Sequence, residues 1–171
     1  MHYDRKKLVL TCLATMVGGT LLHFVHDWLP NPVTALFSPI NESLWEHVKI
    51  IFWPVLAGGI WMSRGRPGAL RPWLLVLPLL CTAMLGVGWL YHVSLGQDQM
   101  WVDILLFILL IAAGFYLPTR FSGPFTGQRW LIASVLSSAL ALIIFLFTFF
   151  PPDHLLFRDL SQQPSWMVMD C

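Results

Sequence analysis

The sequence predicts an all-α integral membrane protein: a bundle of five transmembrane helices, with a cytoplasmic N-terminus and an extracytoplasmic C-terminus. Three observations predict it. Of the 171 residues, 57% are apolar and only 11% are charged, whereas a soluble domain has about 45–50% apolar and about 25% charged residues. Five apolar stretches have the length of a bilayer-crossing helix, about 17–25 residues. Eight of the ten Lys and Arg residues fall on one side of a chain that crosses five times. Mean hydropathy is +0.69, and the net charge of +1 leaves no basic excess for nucleic acid. A soluble globular domain, a disordered chain and a coiled coil do not fit this composition.

The five stretches cover residues 8–25, 44–62, 73–92, 99–117 and 130–150 of a single membrane domain, and an extracytoplasmic tail spans 151–171. Turn-forming residues separate them: Pro30-Asn31-Pro32, Arg64 to Gly68, Ser94-Leu95-Gly96, and Ser122-Gly123-Pro124 with Gly127. The first stretch follows a basic Arg5-Lys6-Lys7 run. It is longer than a signal-peptide core and lacks a small-residue cleavage site, so it reads as a retained helix.

Orientation follows from the bases. Arg5, Lys6, Lys7, Arg64, Arg66, Arg71, Arg120 and Arg129 share one side, and only Lys49 and Arg158 fall on the other. The acids and histidines are biased the opposite way. Asp4 and His2 are the only ones on the basic side; Asp170 falls with the outer group. Cys12, Cys81 and Cys171 form no C-x-x-C pair, which argues against paired-thiol redox chemistry, and no C-x-x-C-H is present for covalent haem. Trp28, Trp45, Trp73, Trp89, Trp101 and Trp130 lie near helix ends and read as an interfacial belt.

Depth concentrates the polar residues. At about 1.5 Å per residue, His23, Glu46, His47, Lys49 and Asp103 sit roughly 20–24 Å above the cytoplasmic ends of their helices. His26, Asp27, Glu42 and His92 form a second tier at roughly 28–30 Å. The second helix cannot cross without Glu46, His47 and Lys49, and ionisable residues at such depth face the bundle interior and mark function. Ser43-x-x-Glu46 also reads as a helix-capping box, with Ser38-Pro39 as an earlier start.

Histidine and carboxylate ligands suit a divalent metal such as zinc, with a position left open for catalysis. The candidate ligands are His23, Glu46, His47, His92 and Asp103, with Glu42 or Asp27 as the general base on a metal-bound water. Lys49 argues instead for a buried ion-pair network. His23 and His92 could serve as an axial haem pair, a weaker reading.

The run Leu36-Phe37-Ser38-Pro39-Ile40-Asn41-Glu42-Ser43-Leu44-Trp45-Glu46-His47-Val48-Lys49, followed by Phe52 and Pro54, resembles the signature of a small bacterial multi-pass membrane family of unknown function. His23 and the tail from Pro151 to Asp159 are similar to it as well, whereas the end from Leu160 to Cys171 departs from the pattern. The resemblance implies a multi-pass architecture in a bacterial cytoplasmic membrane and draws attention to the Asn-Glu-Ser-x-Trp-Glu-His run. It implies no reaction.

The leading expectation is a metal-dependent hydrolase acting on a lipid or lipid-linked substrate. The alternatives are a proton- or cation-coupled carrier and a non-catalytic assembly or interaction protein. The expected partner is the lipid bilayer.

Overall fold

A computed structural model of the chain describes residues 3–162. His2, Asp170, Cys171 and the rest of the tail from residue 163 lie outside the described residues. Among the described residues every regular element is helical.

The helix α1 (Arg5–Trp28) starts at Asp4, whose carboxylate accepts from the Lys6 amide at 2.9 Å. A short helix follows, α2 (Pro32–Phe37). The sequence reading took this region for a turn. Its start is specified locally, because Asn31 Oδ1 accepts from the amides of Val33 and Thr34 while Thr34 Oγ1 accepts from the Asn31 amide. Pro32 fits the first helical position, where its missing N–H would have no partner. Ser38 ends α2 instead of opening a helix.

The helix α3 (Leu44–Ser63) begins at Ser43, whose hydroxyl accepts from the Glu46 amide at 3.3 Å. The helix α4 (Arg71–Gly88) continues into a π-helical turn, Trp89–Ser94, and α5 (Met100–Tyr116) into a 3-10 turn, Leu117–Arg120. The helix α6 (Gln128–Phe149) precedes a tail with short turns at Leu155–Phe157 and Leu160–Gln162.

Among the described residues four helical segments are long and apolar enough to cross a membrane: Arg5–Trp28, Arg71–Ser94, Met100–Arg120 and Gln128–Phe149. The helix α3 is not among them. Glu46, His47 and Lys49 occupy its first two turns and lower its hydropathy. It is nevertheless the heart of the bundle: Val48, Ile51, Phe52 and Val55 are at most 1% exposed, whereas Thr15 and Gly19 are the buried residues of α1.

Neighbouring long helices run antiparallel. Against α3, α1 brings His23 to His47 at one end and Lys7 over the Trp61 ring at the other. Against α4, α3 brings Leu44 to Gly88 and Gly59 to Trp73. The pair α4 and α5 meets through His92 and Asp103 at one end and Leu80 and Gly114 deeper in. Close packing at Gly59 is required, since a Cβ there would lie 2.9 Å from Trp73 Cβ. Ser137 of α6 donates to the Leu74 carbonyl of α4 at 2.5 Å.

The tryptophans divide. Trp28 and Trp101 are exposed, but Trp45, Trp73 and Trp130 are buried, where their large rings fill the core. Trp73 Nε1 donates to the Tyr3 hydroxyl at 3.0 Å, which satisfies its polar atom inside the bundle.

Candidate functional site

The site forms where the end of α1, the start of α3 and the loop before α3 meet. Gly19 lets α1 approach α3 closely, and His23 follows one turn later on the same face. The loop is held from both sides. Ser38 Oγ accepts from the His26 amide at 3.0 Å and donates to the His23 carbonyl at 3.4 Å. Asn41 Oδ1 accepts from the Ser43 amide at 3.0 Å, which sets the turn that carries Glu42.

A buried ion pair locks the same loop. Lys49 Nζ lies 2.5 Å from Glu46 Oε2 and donates to the Ala35 carbonyl at 2.7 Å. Glu46 Oε2 also accepts from the Ile40 amide at 2.8 Å. Lys49 is 0% exposed and Glu46 3% exposed, so the pair ties α2 and the loop to α3 away from water.

Three ligand-capable atoms converge beside this lock. His23 Nε2 and His47 Nε2 are 3.3 Å apart, and Glu42 Oε2 lies 3.3 Å from His47 Nε2 and 3.7 Å from His23 Nε2. His47 Nδ1 is 2.8 Å from the Ser43 carbonyl. A carbonyl only accepts, so Nδ1 carries the hydrogen and Nε2 presents its lone pair or a second proton to the cluster. The space between the three atoms therefore suits a cation, either a proton on Nε2 or a metal ion. The hydrogen bond from His47 holds the half-exposed Glu42 carboxyl below its ordinary value, against the opposing effect of its partial burial. His23 Nδ1 is buried with no hydrogen-bond partner among the described residues.

A polar pair, His92 and Asp103, lines the same cavity as these three residues. His92 Nε2 is 2.8 Å from Asp103 Oδ1, and His92 Nδ1 is 3.9 Å from Asp98 Oδ1. The cavity is about 570 Å³ and is lined by both groups together with Phe24, Ile50, Met84, Ile104 and Phe107. Leu160 and Ser161 of the tail close one side of it.

Of the candidates read from the sequence, His23, Glu42, His47, His92 and Asp103 all line this cavity. Glu46 points into the Lys49 lock instead, and Asp27 is exposed and outside the lining. His23 and His92, the alternative axial pair, each contact another side chain, His47 and Asp103 respectively. Sequence reasoning passed over Asp98, although it lies in the same short loop that follows His92. It also passed over the role of Thr34, whose hydroxyl lies 3.1 Å from His26 Nδ1 and engages His26 in a structural contact.

Ser43 has two separable duties. Its hydroxyl caps α3 and its carbonyl orients His47. Ser43→Ala is expected to cost about 1 kcal/mol of stability, the usual loss for a helix cap. Thermal unfolding in detergent reads that loss. Bound metal measured on the same sample should not change, because the backbone carbonyl remains.

No curated protein and no solved structure matches the chain. A family profile does match, over residues 1–163, almost the whole length. The chain belongs to the family of unknown function DUF6512.

Proposed function

We propose that this protein is a membrane-embedded, metal-dependent hydrolase acting on a lipid or lipid-linked substrate, with zinc held by His23, Glu42 and His47. The observation that carries the reading is the separation of the three ligand atoms, 3.3, 3.3 and 3.7 Å. Ligand atoms about 2.0–2.1 Å from a tetrahedral zinc stand about 3.3 Å from one another. Two histidines and one carboxylate leave a fourth position for water or substrate, the pattern of catalytic zinc sites. The three ligands line the shared cavity, and the His92–Asp103 pair in the same lining would move a proton. Glu46, expected as a ligand, serves the ion-pair lock in this reading, and Asp27 has no role.

The proposed topology has five crossings, by α1, α3, α4, α5 and α6, with the N-terminus in the cytoplasm and the site in the outer leaflet. Antiparallel packing supports it: α3 runs alongside α1 and α4, so it crosses wherever they do. Its charges are tolerated because protein, not lipid, surrounds them. The distribution of Lys and Arg supports the orientation, and a bacterial cytoplasmic membrane is the proposed location. A carrier has less support. Below the polar cluster the cavity is lined by Ile50, Met84 and Phe107, and among the described residues no further ionisable group in its lining continues a path.

Metal analysis of the purified full-length protein tests the proposal. Stoichiometric zinc is expected. His47→Ala should reduce zinc affinity more than His23→Ala, because the Ser43 carbonyl orients His47 whereas His23 Nδ1 has no such partner. Zinc that never binds, or that stays bound in both histidine variants and in Glu42→Gln, refutes the proposal.

A further inference from the structure

We propose, resting on the zinc-hydrolase reading, that the cavity selects amphiphiles with a neutral or amine-bearing head and hydrolyses their carboxyl ester or amide bond. Phosphate-headed lipids are disfavoured. The charges around the cavity carry this inference. Glu42, Asp98 and Asp103 line it, and among the described residues no Lys or Arg does. The two cations nearest in sequence to the lining, Lys49 beside Ile50 and Arg158 before Leu160, are already committed. Lys49 is bonded to Glu46 and to the Ala35 carbonyl, and Arg158 lies 3.4 Å from Asp153 in the tail.

A bound zinc offsets part of the carboxylate charge on the Glu42 wall. Nothing of the kind stands beside Asp98 and Asp103 except His92, which lies between them. A phosphate group entering there meets like charge and finds no guanidinium or ammonium partner. An amine is attracted, and a hydroxyl is tolerated.

The rest of the lining fits an acyl chain. Phe24, Ile50, Met84, Ile104 and Phe107 form the apolar part of a cavity whose volume, about 570 Å³, is that of a small-molecule site. The His23, Glu42, His47 group and the His92–Asp103 pair line the same cavity as these apolar residues, so one amphiphile could meet both.

The chemistry balances without a redox partner. The water oxygen bonds to the acyl carbon, and the bond from that carbon to the head-group oxygen or nitrogen breaks. One water proton passes to the departing alcohol or amine. A fatty acid and the free head group are the products.

A matched pair of substrates tests the inference. Monoacylglycerol and lysophosphatidic acid of the same chain length carry the same acyl ester and differ by one phosphate. Zinc-loaded full-length protein in detergent micelles is given each, and fatty acid and inorganic phosphate are measured. Fatty acid should leave monoacylglycerol about tenfold faster or more, and lysophosphatidic acid should release no phosphate. Asp98→Lys should raise the lysophosphatidic acid rate relative to the monoacylglycerol rate and so narrow the ratio. Phosphate release, or equal or faster cleavage of lysophosphatidic acid, overturns the selectivity and leaves the hydrolase reading standing. Cleavage of neither substrate by zinc-bound protein overturns both.

Discussion

Lys49→Met alone is expected to lower stability by about 3–5 kcal/mol, the cost of leaving one half of a buried ion pair unpaired. Glu46 would then sit 3% exposed with its charge uncompensated, and the Ala35 carbonyl would lose its donor. For a chain of this size the unfolding midpoint should fall by roughly 10 °C. Glu46→Gln combined with Lys49→Met should recover most of the loss. The Gln carbonyl still accepts from the Ile40 amide, and no charge is left buried. Thermal unfolding of the single and double variants in detergent checks this. A single variant as stable as the parent, or a double variant no better than the single, would mean that the pair does not lock the loop.

The same variants separate two roles for Glu46. As a metal ligand, Glu46→Gln would strip the zinc. As the partner of Lys49, it would leave zinc bound while Glu42→Gln removes it. The geometry favours the second outcome, because Glu46 Oε2 is occupied by Lys49 Nζ and the Ile40 amide.

The choice between the two acids was not legible in the sequence. Both lie near the start of α3, and Glu42 and Glu46 are one helical turn apart on paper. Helical spacing placed them on a common face only if the helix included residue 42. It does not: Ser43 caps the helix, and Asn41 turns the loop so that Glu42 comes back toward His47. Whether the helix starts at residue 42 or at residue 44 decides which carboxylate joins the histidines. The long apolar helices were legible, because a bilayer demands unbroken apolar runs and the turns between them are rich in Gly and Pro. The short α2 was not. Its six residues carry no periodicity, and only the Asn31-Pro32-x-Thr34 cap marks it.

The convergence of His23, His47, His92 and Asp103 on one cavity follows from depth, which the sequence does encode. Residues at one height on adjacent helices of a bundle are brought to one level wherever they face inward. Rotation about each helix axis is not encoded so directly. Asp27 shares a face with His23 by spacing, yet it ends exposed, because His26 and the Ser38 loop occupy the inward side at that height.

With zinc at the proposed site, Gly19→Ala is expected to weaken its binding by about 10–100-fold, the range seen when the support of a ligand is disturbed. It should also destabilise the protein by about 1–3 kcal/mol, as overpacking does. A Cβ at this position would lie 2.8 Å from Phe107 Cζ and 2.9 Å from the Ile50 carbonyl oxygen. The phenyl ring can turn aside, but the carbonyl is part of the α3 backbone and cannot, so α1 must move away from α3. His23 is one turn further along α1, and its Nε2 must stay 3.3 Å from that of His47 for both to reach one ion. Metal bonds tolerate displacements of only about 0.2 Å, so a small outward shift of α1 removes His23 from the set. Gly18→Ala supplies the contrast, since a Cβ there has nothing within 4 Å. It should leave zinc affinity unchanged and strengthen the helix, Ala being a better helix former than Gly by about 0.8–1.0 kcal/mol. Zinc titration and thermal unfolding of the two variants side by side give the result. Equal behaviour would mean that the α1–α3 approach at Gly19 does not set the position of His23.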